Sequence, residues 1–170
     1  AKLPPQAPVG ASMSELLKEV PPGGIAWLAF GNSGVTEMLM NWVHWVVELG
    51  KTRAMVVAAY DEGLLHALRA MRVPAYNYSG GLPRIHFRGT PFLFHRMGFL
   101  KAMTIAEVLR SGRHVLVSDS DVAWMRDPLA HWDRTFELQG LSDIRSMNVT
   151  TQRHHEITCM RGWMESMYEH

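Results

Sequence analysis

Short apolar runs alternating with stretches of helical spacing constrain this chain most. Apolar runs occur at Ile25 to Phe30, Arg53 to Tyr60, Val73 to Tyr78 and from His114 onward. Between them, Met38, Leu39, Trp42, Val46 and Leu49 repeat at helical spacing, predicting a helix from Thr36 to Leu49 that ends at Gly50. Asp61 suits the N-cap of a second helix reaching Met71, with Leu64, Leu65 and Leu68 inward. A third helix is expected over His95 to Arg110, striped by Met97, Leu100, Met103, Ala106, Val108 and Leu109 and closed by Ser111-Gly112. Strand, helix, strand, helix, strand, helix, strand is the order of an α/β fold. It predicts a mostly parallel, Rossmann-like sheet with helices on both faces. Pro74 favours an edge position or a strand start for the run Val73 to Tyr78.

Such sheets bind ligands in a crevice beyond the carboxyl ends of their strands. Three sequence features fall there: Gly31-Asn32, Asp61, and the Asp119-Ser120-Asp121 triplet that follows His114-Val115-Leu116-Val117-Ser118. A pleated strand alternates its side chains, so Asp119 and Asp121 can point the same way, about 6.5 Å apart at Cα, with Ser120 opposite. Like charges held that close repel unless a cation or shared proton relieves them. The pattern suits a hard divalent ion, Mn²⁺ or Mg²⁺, whose other positions are filled by water and substrate phosphates. The competing reading is a solvated turn in which both side chains bond nearby backbone N–H groups. The glycine-rich turn Gly31-Asn32-Ser33-Gly34, between a strand and a helix, can hold a phosphate or sugar through its N–H groups, or can simply leave the strand. Lys101 stands among apolar neighbours on its helix, with a choice between reaching water and reaching a diphosphate.

The remainder frames this core. Residues 1–24 read as a proline-rich extension: Ala1 to Ser12 is an extended linker, and Ser14 to Glu19 forms a turn or two of helix before Pro21-Pro22-Gly23-Gly24 stops it. Residues 25–145 are expected to form the ligand-binding domain, and residues 146–170 an incomplete further region, with an element starting near Met160. Ser79 to Pro91, carrying Arg84 and Arg88, is a loop; Asp127-Pro128 opens a short helical turn; Thr135 to Leu138 is a strand.

With 47% hydrophobic and 19% charged residues the chain is globular. A formal charge of +1 from scattered basic residues argues against a nucleic-acid groove. No apolar run is long enough to span a membrane. The lone Cys159 excludes an internal disulfide and a cysteine-based zinc site, and the His154-His155 doublet lacks metal-ligand spacing. Asn77-Tyr78-Ser79 and Asn148-Val149-Thr150 fit the N-glycosylation pattern, which hints at a secretory compartment.

Lys101 and the run from Leu109 through Ser118-Asp119-Ser120-Asp121-Val122-Ala123-Trp124 to Pro128 resemble the plant and algal nucleotide-diphospho-sugar transferases, glycosyltransferase family 77. Asn41-Trp42, Val56 to Asp61 and Leu138 to Asp143 are similar to that family too, so the likeness spans roughly residues 25–145. The resemblance implies a GT-A-like fold. It implies metal-dependent transfer, with retention, of arabinose, xylose or galactose from a nucleotide sugar to a polysaccharide or glycoprotein. It places the activity in the Golgi or secretory lumen, with an upstream membrane anchor. Asp119 and Asp121 fall on the metal motif. Asn32, Asp61, Lys101, Asp119 and Ser120 become donor-binding candidates, and Asp143 the candidate for contacting the transferred sugar. The family's Ser/Thr-Gly acceptor strand and later metal ligand are not evident before His170, so a donor-binding piece without turnover is the alternative. A haloacid-dehalogenase-type phosphatase also begins with Asp-x-Asp after an apolar strand and would make Asp119 a nucleophile. That family wants Thr or Val where this chain has Ala123, and a later acidic pair that does not follow.

Overall fold

The computed structural model describes residues 3, 11–78, 91–131, 135 and 137–139. Along the chain come α1 (Met13–Leu16), β1 (Ile25–Gly31), α2 (Thr36–Glu48), β2 (Met55–Ala59), α3 (Glu62–Ala70), β3 (Ala75–Asn77), α4 (Pro91–Arg110) and β4 (His114–Val117). Single 3-10 turns occupy Ser33–Val35, Thr52–Ala54 and Pro128–His131. Residues Ala1–Pro128 form one compact unit and Leu129–His170 another; the strands and helices named belong to the first.

The four strands make one parallel sheet in the order β3-β2-β1-β4. The chain steps outward from β1 to β2 to β3, then returns to lay β4 on the far side of β1. Right-handed crossovers then put α2 and α3 on one face and α4 on the other. The pleat agrees: Ala26, Leu28, Phe30, Val56 and Ala58 join one core cluster with Leu100 and Val108 of α4. The alternate residues Trp27, Ala29, Met55, Val57 and Ala59 are also buried and face the opposite way. There α2 buries Leu39, Trp42, Val43 and Val46, and α3 buries Leu64, Leu65 and Leu68. Gly50 and Gly112, with φ of +71° and +75°, turn the chain out of α2 and α4 in the left-handed conformation that glycine adopts without strain.

Three expectations change. Residues 13–20 of the expected extension are part of the core: Met13, Leu16, Leu17 and Val20 are buried against the α4 face, each contributing roughly 1.5–3 kcal/mol. A capping box starts α1, with the Ser12 N–H donating to Glu15 Oε2 at 2.6 Å and the Glu15 N–H to Ser12 Oγ at 3.2 Å. Second, α4 begins at Pro91, four residues before His95; proline in the first turn loses no bond by lacking an N–H. Third, Thr135, Glu137 and Leu138 are not in a strand. The edge position of β3 is as Pro74 implies. Among the described residues no helix is long and apolar enough to cross a membrane.

Candidate functional site

The reversal of strand order between β1 and β4 opens the crevice where sheets of this kind bind ligands. β4 pairs with β1 only as far as Val117 opposite Leu28. The Ser118 N–H still donates to the Leu28 carbonyl at 2.9 Å, and then the chain leaves the sheet. Asp119 is outside the strand, and Ser120 and Asp121 form a turn. The two acids therefore do not share one face of a pleat: β1 runs on to Gly31 paired with β2 alone, so the ladder that would hold Asp119 and Asp121 extended has ended.

Both acids are exposed, and Ser120 between them is half-buried. Asp119 Oδ1 accepts from Lys101 Nζ at 3.1 Å, with the two side chains 66% and 34% exposed. The same ammonium lies 4.7 Å from the centroid of the Phe30 ring. Neither acid bonds a nearby backbone N–H among the described residues, so the solvated-turn reading lacks its bonds. The turn is held from behind. Trp124 packs edge-on against buried Trp27 at 5.5 Å, and Asp127 pairs with Lys51 at 2.7 Å.

At the ends of β1 and β2 the side chains face inward. Asp61 is 8% exposed. Its Oδ1 caps α3 by accepting the Leu64 N–H at 2.7 Å, and its Oδ2 accepts both the N–H and the hydroxyl of Ser33 at 2.8 Å. Asn32 is fully buried and accepts the Gly34 N–H at 3.2 Å, while the Val35 N–H goes to the Asn32 carbonyl at 3.1 Å. The N–H groups of Ser33, Gly34 and Val35 are thus bonded within the chain. Gly31 serves packing, since a Cβ there would sit 2.6 Å from Val35 Cγ2 and 2.9 Å from Leu39 Cδ1. Asp61 and Asn32 are thus buried at the carboxyl edge, whereas Asp119 and Asp121 are exposed there and Lys101 and Ser120 half-buried.

An aromatic row, not anticipated from sequence, supports that part. Phe30 stacks on Tyr60 at 5.9 Å, Tyr60 meets Tyr78 edge-on at 6.3 Å, and Tyr78 lies 5.9 Å from Tyr76. Its signal was available: an aromatic stands at or just past the carboxyl end of each of the first three strands. Burial pushes the Tyr60 phenol well above its ordinary value, against a smaller downward pull from its bond to Thr104. Burial also raises Tyr76, with Glu107 adding to it.

Among the described residues no three His, Cys, Asp or Glu side chains gather as a closed metal site would require. Two exposed carboxylates in one turn fit a hard cation that keeps water and phosphate as its other ligands. The expected sugar contact Asp143 lies outside the described residues. So do Arg84, Arg88, Asn148, His154, His155, Cys159 and the element expected from Met160.

Residues 50–161 match the family profile of the nucleotide-diphospho-sugar transferases. The chain is 28% identical over 120 residues to an arabinosyltransferase of Arabidopsis thaliana, covering 71% of this chain and 18% of that protein. It is 32% identical over 97 residues to a beta-arabinofuranosyltransferase of the same plant, covering 55% of this chain and 18% of that protein. The chain therefore spans about a fifth of the length of these relatives. No solved structure matches it.

Proposed function

The chain belongs to the nucleotide-diphospho-sugar transferase family, and from that premise we propose that it is the donor-binding part of a metal-dependent, retaining glycosyltransferase. The donor is a nucleotide sugar, and the names of its relatives favour arabinose as the sugar. The acceptor is a cell-wall polysaccharide or a glycoprotein, and the compartment the Golgi or secretory lumen. The observation carrying this reading is the meeting of Lys101 with Asp119, beside Asp121, at the crevice between β1 and β4.

Asp119 and Asp121 would hold Mn²⁺ or Mg²⁺, which when bound neutralises the charge of the departing diphosphate. Lys101 places a second positive charge at the same end of the sheet, where it favours the charge that develops as the glycosyl–phosphate bond breaks. Ser120 has its hydroxyl in the same turn, within the region a donor would occupy. Bond breaking leaves the electron pair on the diphosphate. The acceptor oxygen then bonds the anomeric carbon on the face just vacated and releases its proton to the leaving group, which retains configuration. Asp61 and Asn32 serve by fixing the loops beneath the donor. Asp143 remains the proposed contact to the transferred sugar. Family membership sets the phosphatase reading aside.

A thermal-shift panel of nucleotide sugars, with and without Mn²⁺, tests the proposal. A Mn²⁺-dependent rise in melting temperature with one donor supports it, and no response to any donor defeats it. Slow Mn²⁺-dependent release of free nucleotide would show turnover by this stretch of chain. Donor binding with no release would favour the donor-binding piece without turnover.

A further inference from the structure

Lys101 is engaged twice where it stands. Its ammonium bonds Asp119 Oδ1 at 3.1 Å and lies 4.7 Å from the centroid of the Phe30 ring. The ring is itself fixed, nearly buried and stacked on Tyr60 at 5.9 Å. The ring contact is made by the ammonium itself, so it is a hold on that charge that does not depend on Asp119. The carboxylate side of the pair is open: Asp119 is 66% exposed, and no second group among the described residues holds it. An ion pair this exposed is weak and readily exchanged. Asp121, two residues on, has no counter-charge among the described residues, so the acidic turn carries a net negative charge that one lysine only half offsets.

Resting on the donor-binding reading above, we infer that Lys101 is an exchangeable counter-ion. It neutralises Asp119 until a divalent cation takes that carboxylate, and the released ammonium then meets the diphosphate of a nucleoside diphosphate or its sugar ester. Lys101 thus opposes metal binding in the empty site and favours phosphate binding in the loaded one. Metal and nucleotide each strengthen the other, by the reciprocity that binding linkage requires. Lys101 acts directly on both ligands, and its removal acts in opposite directions on the two.

The test is a titration of Mn²⁺ followed by the electron paramagnetic resonance of the free ion, for the wild-type chain, Lys101→Met and Lys101→Arg. A second titration adds uridine diphosphate at saturating Mn²⁺. Lys101→Met is expected to bind Mn²⁺ alone about three-fold more tightly, the size of a half-exposed ion pair lost as competitor. The same variant should bind uridine diphosphate about ten-fold more weakly, while Lys101→Arg stays within two-fold of wild type on both. Equal or weaker Mn²⁺ binding by Lys101→Met would overturn the exchange while leaving the donor-binding reading intact. Unchanged uridine diphosphate affinity in that variant would overturn it equally. No Mn²⁺ binding by any of the three proteins, with or without nucleotide, would sink the donor-binding reading as well.

Discussion

Replacing Asp61 by alanine separates a structural clamp from a ligand contact. In the structure the carboxylate accepts three bonds: the Leu64 N–H at 2.7 Å, and the Ser33 N–H and hydroxyl at 2.8 Å each. Loss of the N-cap costs about 1 kcal/mol. Each bond from Ser33 to a charged acceptor is worth roughly 1.5 kcal/mol at the low end, so the gross loss is about 4 kcal/mol. Removing a nearly buried charge returns part of that as relieved desolvation, leaving a net destabilisation of roughly 2–4 kcal/mol. This is a large fraction of the roughly 5–15 kcal/mol that stabilises a domain. Urea unfolding followed by fluorescence of buried Trp27 and Trp42 measures it. Asp61→Asn should fall about halfway: its oxygen still caps α3, but its NH₂ meets the two donors of Ser33. A loss below about 1 kcal/mol in Asp61→Ala, together with abolished donor binding, would refute the reasoning and make Asp61 a donor contact.

Four further outcomes follow from the same geometry. Gly31→Ala forces a methyl to within 3 Å of the Val35 and Leu39 side chains and should cost about 1–3 kcal/mol, read as a lowered melting temperature. Trp124→Ala removes the edge-on contact with Trp27; it should destabilise by about 2 kcal/mol and weaken Mn²⁺-dependent donor binding, both measurable by calorimetry. Lys51→Ala breaks a partly exposed pair with Asp127 and should cost no more than about 1 kcal/mol, less at high salt, in urea melts at two ionic strengths. Because burial raises the Tyr60 phenol, the folded state keeps a proton that the unfolded chain releases above about pH 10. Stability should be unaffected by this group below that pH and fall above it, and Tyr60→Phe should flatten the fall in alkaline urea titrations.

Most of the architecture was legible because its signals are local. β1 and β2 are continuous apolar runs closed by polar turns, and α2 and α3 carry apolar side chains at helical spacing. The strand order was not legible. No local signal says that β4 returns beside β1, yet that return creates the crevice. The role of α1 was hidden for a related reason: four residues of helix show almost no periodicity, although Ser12 and Glu15 have the spacing of a capping box. The Asp119–Asp121 geometry misled because period two assumes a strand, and short polar side chains from Ser118 onward favour leaving the sheet. The pairings of Lys101 with Asp119 and of Ser33 with Asp61 join residues 18 and 28 positions apart, and only the folded sheet brings them together. Asp61 as a helix cap was readable from its place after an apolar run. Its second grip, on Ser33, was not.

The central claim is that the exposed acidic turn at the β1–β4 crevice binds a divalent cation that in turn holds a donor diphosphate. Its most direct test is calorimetric titration of the best-binding nucleotide sugar into wild-type and Asp121→Ala chains, with Mn²⁺ and with Mn²⁺ chelated. Asp121 is exposed and bonded to no other described residue, so the variant should keep its melting temperature, lose Mn²⁺-dependent donor binding, and match chelated wild type. Equal donor affinity in the two chains with Mn²⁺ present would contradict the claim.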